Sequence, residues 1–365
     1  MHNSVKIIGA GAIGLYLAGK LAQAGIETTV YDGKRDIRER AETASGILSK
    51  SGLGRLGMDY SEALVNELDG VVMHVNGKKL RVKADTAKAV VLDRGLLAQS
   101  LMNNAVDAGA NVVLGKRLGK EEITEMMHEN KVVVGADGAI STVANAAGFE
   151  PINEYVLTYK AEFDGAKVND RNSAELFFSK DFAHRFFGWT VPYSDSVLEV
   201  GLGISSSAKR TSRSAYNDFV GKELGDVLKD GRCMGEHAST IPIARRRKTV
   251  MGNVLLVGDA AGQTKSTTGG GLIFGISCAN VAAAAITAHV KNGEPLGKYE
   301  RAWRSRYGLD LKMHDALHSY YSNFNGSFGF FLGMAETLGL DKFLSRYGDM
   351  DSPSLMVKRF FTRAL

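Results

Sequence analysis

The stretch VKIIGAGAIGLYLAGKLAQAGIETTVYDG, residues 5–33, constrains the chain more than any other. A short apolar run leads into Gly9, Gly11 and Gly14. An apolar-periodic segment through Leu17, Leu21 and Ala24 follows, stops at Gly25, and gives way to a second run, ETTVY. Strand, helix, strand is the reading, a βαβ unit. In G-x-G-x-x-G at such a place the first glycine permits a tight turn, the second lets a pyrophosphate approach the backbone, and the third lets helix pack on strand. Ala12 sits where the helix opens, and Asp32, 18 residues after Gly14, ends the second strand where a carboxylate can bond ribose hydroxyls. NAD and FAD share this fingerprint, so it does not choose between them.

A second segment bears on the choice. NVLLVGDAAGQTKSTTGGGLIFGISCAN, residues 253–280, runs from an apolar strand into Gly258 and Asp259, then through Gly269, Gly270 and Gly271 into a long apolar stretch beginning at Leu272. A nicotinamide dehydrogenase has no need of this turn. Asp259 can hold ribityl hydroxyls, the glycines can let backbone lie against a flat ring, and a helix N-terminus there stabilises the negative charge of a reduced flavin. The plain alternative is a strand-to-helix turn whose small residues serve packing. A third piece, VVVGADGAISTVANAAG, places Asp137 and Gly138 at a strand end, from which a pyrophosphate can be approached from another side. Arg94, ahead of a helix, is a further candidate for reaching the cofactor, or a plain surface arginine.

The fold class expected is α/β (α+β): a Rossmann-type FAD-binding domain with an inserted antiparallel β-sheet substrate domain and a helical C-terminal section. The expected boundaries are 1–151 with 246–290 for the FAD-binding domain, 152–245 for the antiparallel domain and 291–365 for the helical section. Residues 70–84 form a hairpin excursion around Asn76-Gly77. The 365 residues are 44% apolar and 23% charged, ordinary for a soluble globular protein. Cys233 and Cys278 give neither a disulfide framework nor a metal-ligand spacing, and both read as core residues; no metal is expected. No signal-peptide succession opens the chain, so a cytoplasmic location is expected. Leu272 to Ala288 falls short of the roughly 20 strongly apolar residues of a span and reads as a buried helix. The net charge of +5 is scattered, and no nucleic-acid partner is expected.

These pieces in this order resemble the flavoprotein superfamily with the p-hydroxybenzoate hydroxylase fold, and within it the geranylgeranyl reductase family. GDAAGQTKSTTGGG is similar to that family's GDAAG-x-x-K-P-T-T-GGG segment. FFGWTVPYSDSVLEVGLGIS resembles its Y-x-W-x-F-P stretch followed by V-G-L-G, and YGDMDSPS matches its D-M-D-x-P-S segment. The chain departs at Phe187 and Val191, where the family has Tyr and Phe, and at Ser266, where it has Pro. Ala44 stands where archaeal members often carry a cysteine. The resemblance implies FAD, reduced by NADPH or by a ferredoxin-like donor, and reduction of C=C bonds in a prenyl lipid or prenyl diphosphate.

An unactivated alkene offers no polar handle, so an apolar cavity and headgroup contacts must position it. Phe187, Trp189, Val191 and Pro192 are the candidates for the cavity wall; ordinary sheet core is the competing reading of Trp189. No residue stands out as proton donor, His184 being a lone histidine. Arg245, Arg246 and Arg247 read as a solvated charge run, with a phosphate headgroup or membrane surface as the alternative. In LMVKRFFTRAL, Met356, Phe360, Phe361 and Leu365 share one side of a helix, with Lys358, Arg359 and Arg363 away from it. Such a helix suits peripheral contact with a membrane or docking on the protein itself. The rival functions are an FAD-dependent monooxygenase of an apolar substrate and a non-catalytic flavin- or lipid-binding protein. Halogenation is disfavoured, because Lys78 and Lys79 follow a hairpin turn.

Overall fold

A computed structural model describes residues 2–41, 43–75, 77–323 and 339–362. The described chain separates into two compact units, 1–42 with 94–153 and 241–312, and 43–93 with 154–240 and 313–365.

The first unit is built on a six-stranded sheet in the order Val250–Met251, Val254–Leu256, Asn130–Gly135, His2–Ile8, Glu27–Tyr31 and Asn111–Val113. All pairings are parallel except the short one between the first two strands. Val5, Ile7, Val132, Val133, Val134, Leu255 and Leu256 are fully buried, as strands covered on both faces require. Helix Ala12–Gln23 follows the first strand, and Leu272–Asn292 packs against it, with Ile13 close over Gly275 and Tyr16 Oη donating to Asn280 Oδ1 at 2.9 Å. That second helix is long and apolar enough to cross a membrane, and half of its apolar stretch is buried in the fold.

The second unit carries a seven-stranded sheet in the order Arg232–Pro242, Tyr155–Asp164, Val197–Ser205, Gly188–Pro192, Ser173–Phe178, Gly70–Val75 and Lys78–Lys83. One face packs on helix Ser212–Glu223 through Val200, Leu202, Ala215 and Phe219. The other face presents Trp189, Glu199, Gly201 and Lys160. A three-stranded sheet, Ile47–Ser49, Ala89–Leu92 and Leu64–Leu68, completes the unit and supplies Leu68, Ala89 and Val91 to a cluster with Ala174 and Val191.

Two sequence expectations change here. Residues 43–93 belong with the sheet of 154–240, not with the dinucleotide domain, because Gly70–Val75 pairs in parallel with Ser173–Phe178 and the chain between 43 and 93 adds its own small sheet. The region after 290 is helical, with Lys298–Asn323, Leu340–Tyr347 and Pro353–Phe361, but it is divided between the units and is no separate section. The expected hairpin forms from Gly70–Val75 and Lys78–Lys83, with Gly77 at φ 75°; Asn76 itself lies outside the described residues. The strand that carries Trp189 starts at Gly188, after Arg185 adopts φ 57° and turns the chain.

Candidate functional site

The first strand ends at Gly9, whose φ of 107° only glycine adopts without strain; a Cβ there would also stand 2.2 Å from the Ala136 carbonyl oxygen. Gly14 is held by close approach, since its Cβ would meet the Gly9 carbonyl oxygen at 2.0 Å. Above Gly11 the space is open. Asp32 is buried at 7% exposure, and its two carboxylate oxygens accept the Ala10 and Lys34 N–H groups, each at 2.9 Å. Gly9, Asp32 and Asp137 line a cleft of about 340 Å³ whose rim carries Lys34, Lys116 and Arg117, cations suited to a phosphate-bearing ligand. Asp137 accepts from Ser141 Oγ at 2.7 Å and from the Val143 N–H at 3.1 Å, and Gly138 follows at φ 85°. Burial raises the Asp137 carboxyl above its usual range against the pull of those hydrogen bonds.

The second glycine segment is equally ordered. Gly258 takes φ 67°; its N–H donates to Gln263 Oε1 at 2.8 Å, and Gln263 Nε2 donates to Tyr299 Oη at 2.9 Å. The loop closes through Lys265 N–H to the Gly270 carbonyl at 3.1 Å and Gly269 N–H to the Lys265 carbonyl at 2.7 Å. Helix Leu272–Asn292 starts at Gly271, a residue with no side chain of its own to cap it, and the Asp259 carboxylate stands so close that a Cβ there would meet Oδ1 at 2.7 Å. Arg94 opens helix Arg94–Asp107, half-buried. Open space at Gly11, the buried Asp32 carboxylate at the second strand's end and a glycine-lined helix start fit a dinucleotide such as FAD.

In the second unit Trp189 is partly exposed, whereas Phe187 is 5% and Val191 1% exposed, and Pro192 is buried too. Val191 therefore belongs to a closed cluster with Leu68, Ala89 and Val91. Ring contacts run from Trp189 to Phe187 (6.1 Å), Phe178 (5.4 Å) and Tyr321 (5.5 Å) as a continuous aromatic row. His318 meets Tyr321 edge-on at 5.2 Å and donates Nε2–H to the Arg185 carbonyl.

A polar hub sits beside Trp189. Glu199, fully buried, accepts at Oε1 from Trp189 Nε1 (2.9 Å) and Ser45 Oγ (2.6 Å), and at Oε2 from Lys160 Nζ (3.0 Å) and Tyr193 Oη (3.3 Å). Lys160 also donates to the Ala44 carbonyl at 3.1 Å and to Glu162 Oε1 at 3.3 Å. Burial, then the charges of Glu199 and Glu162, push the Tyr193 phenol well above its ordinary value. Sequence reasoning missed this hub. Its signal was a glutamate inside VLEVGLGIS and a lysine inside YVLTYKAEF, each interrupting an apolar strand.

Two other expectations are corrected. Arg246 is 7% exposed and no part of a solvated run; its guanidinium donates to the Ala260 carbonyl at 2.7 Å and to the Glu150 carbonyl. Cys233, read as core, is exposed, while Cys278 is buried and its thiol pushed up. His184 is exposed. The GDMDSPS segment forms a clasp: Asp349 accepts from Arg55 Nη1 at 2.7 Å and from Ser51 Oγ at 3.1 Å, and Asp351 accepts from Arg55 Nη2 at 3.4 Å.

The parallel sheet with two glycine turns, and the mixed sheet beside it in the chain order, define a protein with the fold of FAD-dependent oxidoreductases. A geranylgeranyl bacteriochlorophyll reductase-like protein of Thermoplasma acidophilum has the same fold, with TM-score 0.78 at 20% identity over 97% of this chain and 94% of that one. A flavin-dependent brominase shares it at TM-score 0.73 and 15% identity over 100% of both chains. Residues 4–365 match the family described as lycopene cyclase protein, and the chain belongs to that family. Among its curated relatives, digeranylgeranylglycerophospholipid reductase of Methanocaldococcus jannaschii is 28% identical over 85% of this chain and 84% of its own. Digeranylgeranylglycerophospholipid reductase 2 of Methanopyrus kandleri is 29% identical over 86% and 85%. The likeness to geranylgeranyl reductases read from the sequence is borne out.

Proposed function

We propose that this protein is an FAD-dependent reductase that saturates C=C bonds of geranylgeranyl chains in isoprenoid or archaeal-type ether lipid precursors. The observation that carries the reading is the pairing, in one chain, of a two-turn dinucleotide cradle with an aromatic row ending in the partly exposed Trp189. The names of the full-length relatives support the substrate class.

Gly9, Gly11, Ala12, Gly14 and Asp32 would hold the adenosine and pyrophosphate end, with Asp137, Gly138 and Arg94 on a second side. Gly258, Asp259 and the Gly269–Leu272 segment would hold the ribityl chain and ring. Bound there, FAD supplies the hydride for alkene reduction. Electrons reach it from NADPH or a ferredoxin-like donor; the other G-x-G-x-x-G of the sequence, Gly52 to Gly57, runs along helix Lys50–Leu56 and past its end instead of preceding a helix. Trp189, with Phe187 behind it, orients an apolar chain and keeps water off it. Ser45, Tyr193 and Trp189 all donate to Glu199, so both of its oxygens are engaged within the hub.

The protein works in the cytoplasm, at the membrane surface. Val357 (44% exposed) and Phe360 (54%) stand out beside exposed Lys358 and Arg359 on helix Pro353–Phe361, an apolar edge flanked by cations. The expected docking residues Arg363 and Leu365 lie outside the described residues. The test is to reduce the flavoprotein without oxygen, add a geranylgeranyl lipid and weigh the product. A gain of two hydrogens per bond supports the reading. A product hydroxylated only once oxygen is admitted would replace it with monooxygenation, and sedimentation with anionic vesicles that is unaltered by Phe360→Ser would remove the membrane contact.

A further inference from the structure

We propose that the buried Lys160–Glu199 pair is a positioning device that sets the pose of Trp189 and thereby decides which double bond of a prenyl chain is presented for reduction. The inference rests on the reductase reading of the same site.

The pair lies on the sheet face that carries Trp189. Glu199 is 0% and Lys160 4% exposed. Glu162 and Glu199 are direct cross-strand partners, so two carboxylates face each other with a single ammonium between them. Like charges so placed repel, and Lys160 is what makes the arrangement tolerable. Burying such a pair is rarely the most stable choice, since apolar residues of similar volume often do as well or better. What an apolar pair cannot do is hold an indole N–H. Glu199 Oε1 holds Trp189 Nε1 at 2.9 Å by a charge-assisted bond. Gly201, opposite Trp189 in register, leaves room for the indole to lie on the backbone: a Cβ there would stand 2.1 Å from Cζ2. The ring is thus fixed at its nitrogen and from beneath. The same hub ties down the loop before Ile47–Ser49 through Ser45 Oγ and the Ala44 carbonyl. Every donor of Lys160 and both oxygens of Glu199 are engaged, which gives the indole one pose.

The test uses the holoprotein with Lys160→Met/Glu199→Leu, an apolar replacement of both charges, beside Trp189→Phe and Gly201→Ala. Subtracting the emission of Trp189→Phe isolates the Trp189 signal from that of Trp303, the only other tryptophan. The double variant is expected to retain flavin, to show shifted and more quenchable Trp189 emission, and to raise KM for a geranylgeranyl lipid about tenfold with a smaller change in kcat. Its mixture of partly reduced products should match that of Trp189→Phe, and combining the two should add nothing. Gly201→Ala, which displaces the indole and leaves both charges, should give the same emission shift and mixture, and serves alone if the double variant does not fold. Wild-type emission and product pattern in a folded double variant or in Gly201→Ala, or effects that add independently of Trp189→Phe, would overturn the proposal. The emission readout needs no turnover, so a wild-type protein that reduces no prenyl lipid refutes the reductase reading without touching the hub's hold on Trp189.

Discussion

Gly201→Ala is the sharpest probe of the second unit. Its new Cβ would stand 2.1 Å from Trp189 Cζ2, 2.2 Å from Cε2 and 2.8 Å from Nε1, far inside contact distance. Gly201 lies in the strand Val197–Ser205, paired with Trp189 on one side and Lys160 on the other, so the backbone cannot step aside. The indole must move instead. Overpacking of this kind costs about 1–3 kcal/mol, and an indole that swings away relieves the clash only by giving up its bond to a charged acceptor, worth about 1.5–3 kcal/mol. One cost substitutes for the other, which sets the loss near 1–3 kcal/mol. For a unit of this size that is roughly a 2–12 °C fall in Tm, followed by Trp189 emission through a thermal ramp. In a Trp189→Phe background the ring has no N–H bond to Glu199 to give up when it turns away from the new Cβ, and the same substitution should cost less. A Tm within about 1 °C of wild type, or an equal loss in both backgrounds, would refute this packing argument.

Gly14→Ala places a Cβ 2.0 Å from the Gly9 carbonyl oxygen, backbone against backbone, and is expected to strip the flavin; the ratio of flavin to protein absorbance reads it directly. Lys160→Met alone leaves the Glu199 carboxylate buried without its cation and should lose about 3–5 kcal/mol in denaturant titration, recovered in large part by adding Glu199→Leu. At Asp349 burial works to raise the carboxyl, but the hydrogen bonds from Arg55, the Asp351 amide and Ser51 outweigh it and hold it below the usual value. A depressed folded-state pKa means that the clasp's contribution is present above the ordinary carboxylate range near pH 4 and is lost as pH falls through the depressed value. Arg55→Ala should therefore lower Tm at neutral pH and leave it close to wild type in strong acid.

How far the sequence revealed this molecule depended on whether a signal was local. Gly9, Gly11, Gly14 and Asp32 lie within one βαβ unit, and turn, helix and strand could be read from adjacent residues. The same holds for the NVLLVG strand and the glycines after it. Residues 43–93 were misplaced because the parallel pairing of Gly70–Val75 with Ser173–Phe178 joins segments a hundred positions apart, and neither strand carries a mark of its partner. Arg246 looked like its neighbours because burial of one arginine in three is decided by the carbonyls of Glu150 and Ala260, distant in sequence. Lys160 and Glu199 were visible as charges in apolar strands, yet that they neutralise each other, and that Trp189 and Ser45 share the same carboxylate, needed the register of three strands and a loop. Phe187 and Val191 were placed on the face of Trp189 by alternation, which says nothing of how closely the neighbouring sheet covers them.

The central claim is that this chain moves hydride from FAD to a prenyl double bond. It is tested most directly by single turnover: the fully reduced flavoprotein, kept free of oxygen, is mixed with a geranylgeranyl lipid while flavin absorbance and lipid mass are followed together. The account predicts that flavin reoxidises with the lipid present, one double bond lost per flavin oxidised, and that Trp189→Phe slows or scatters the reduction. Flavin that stays reduced with every prenyl lipid, and reoxidises only when oxygen enters, would contradict it.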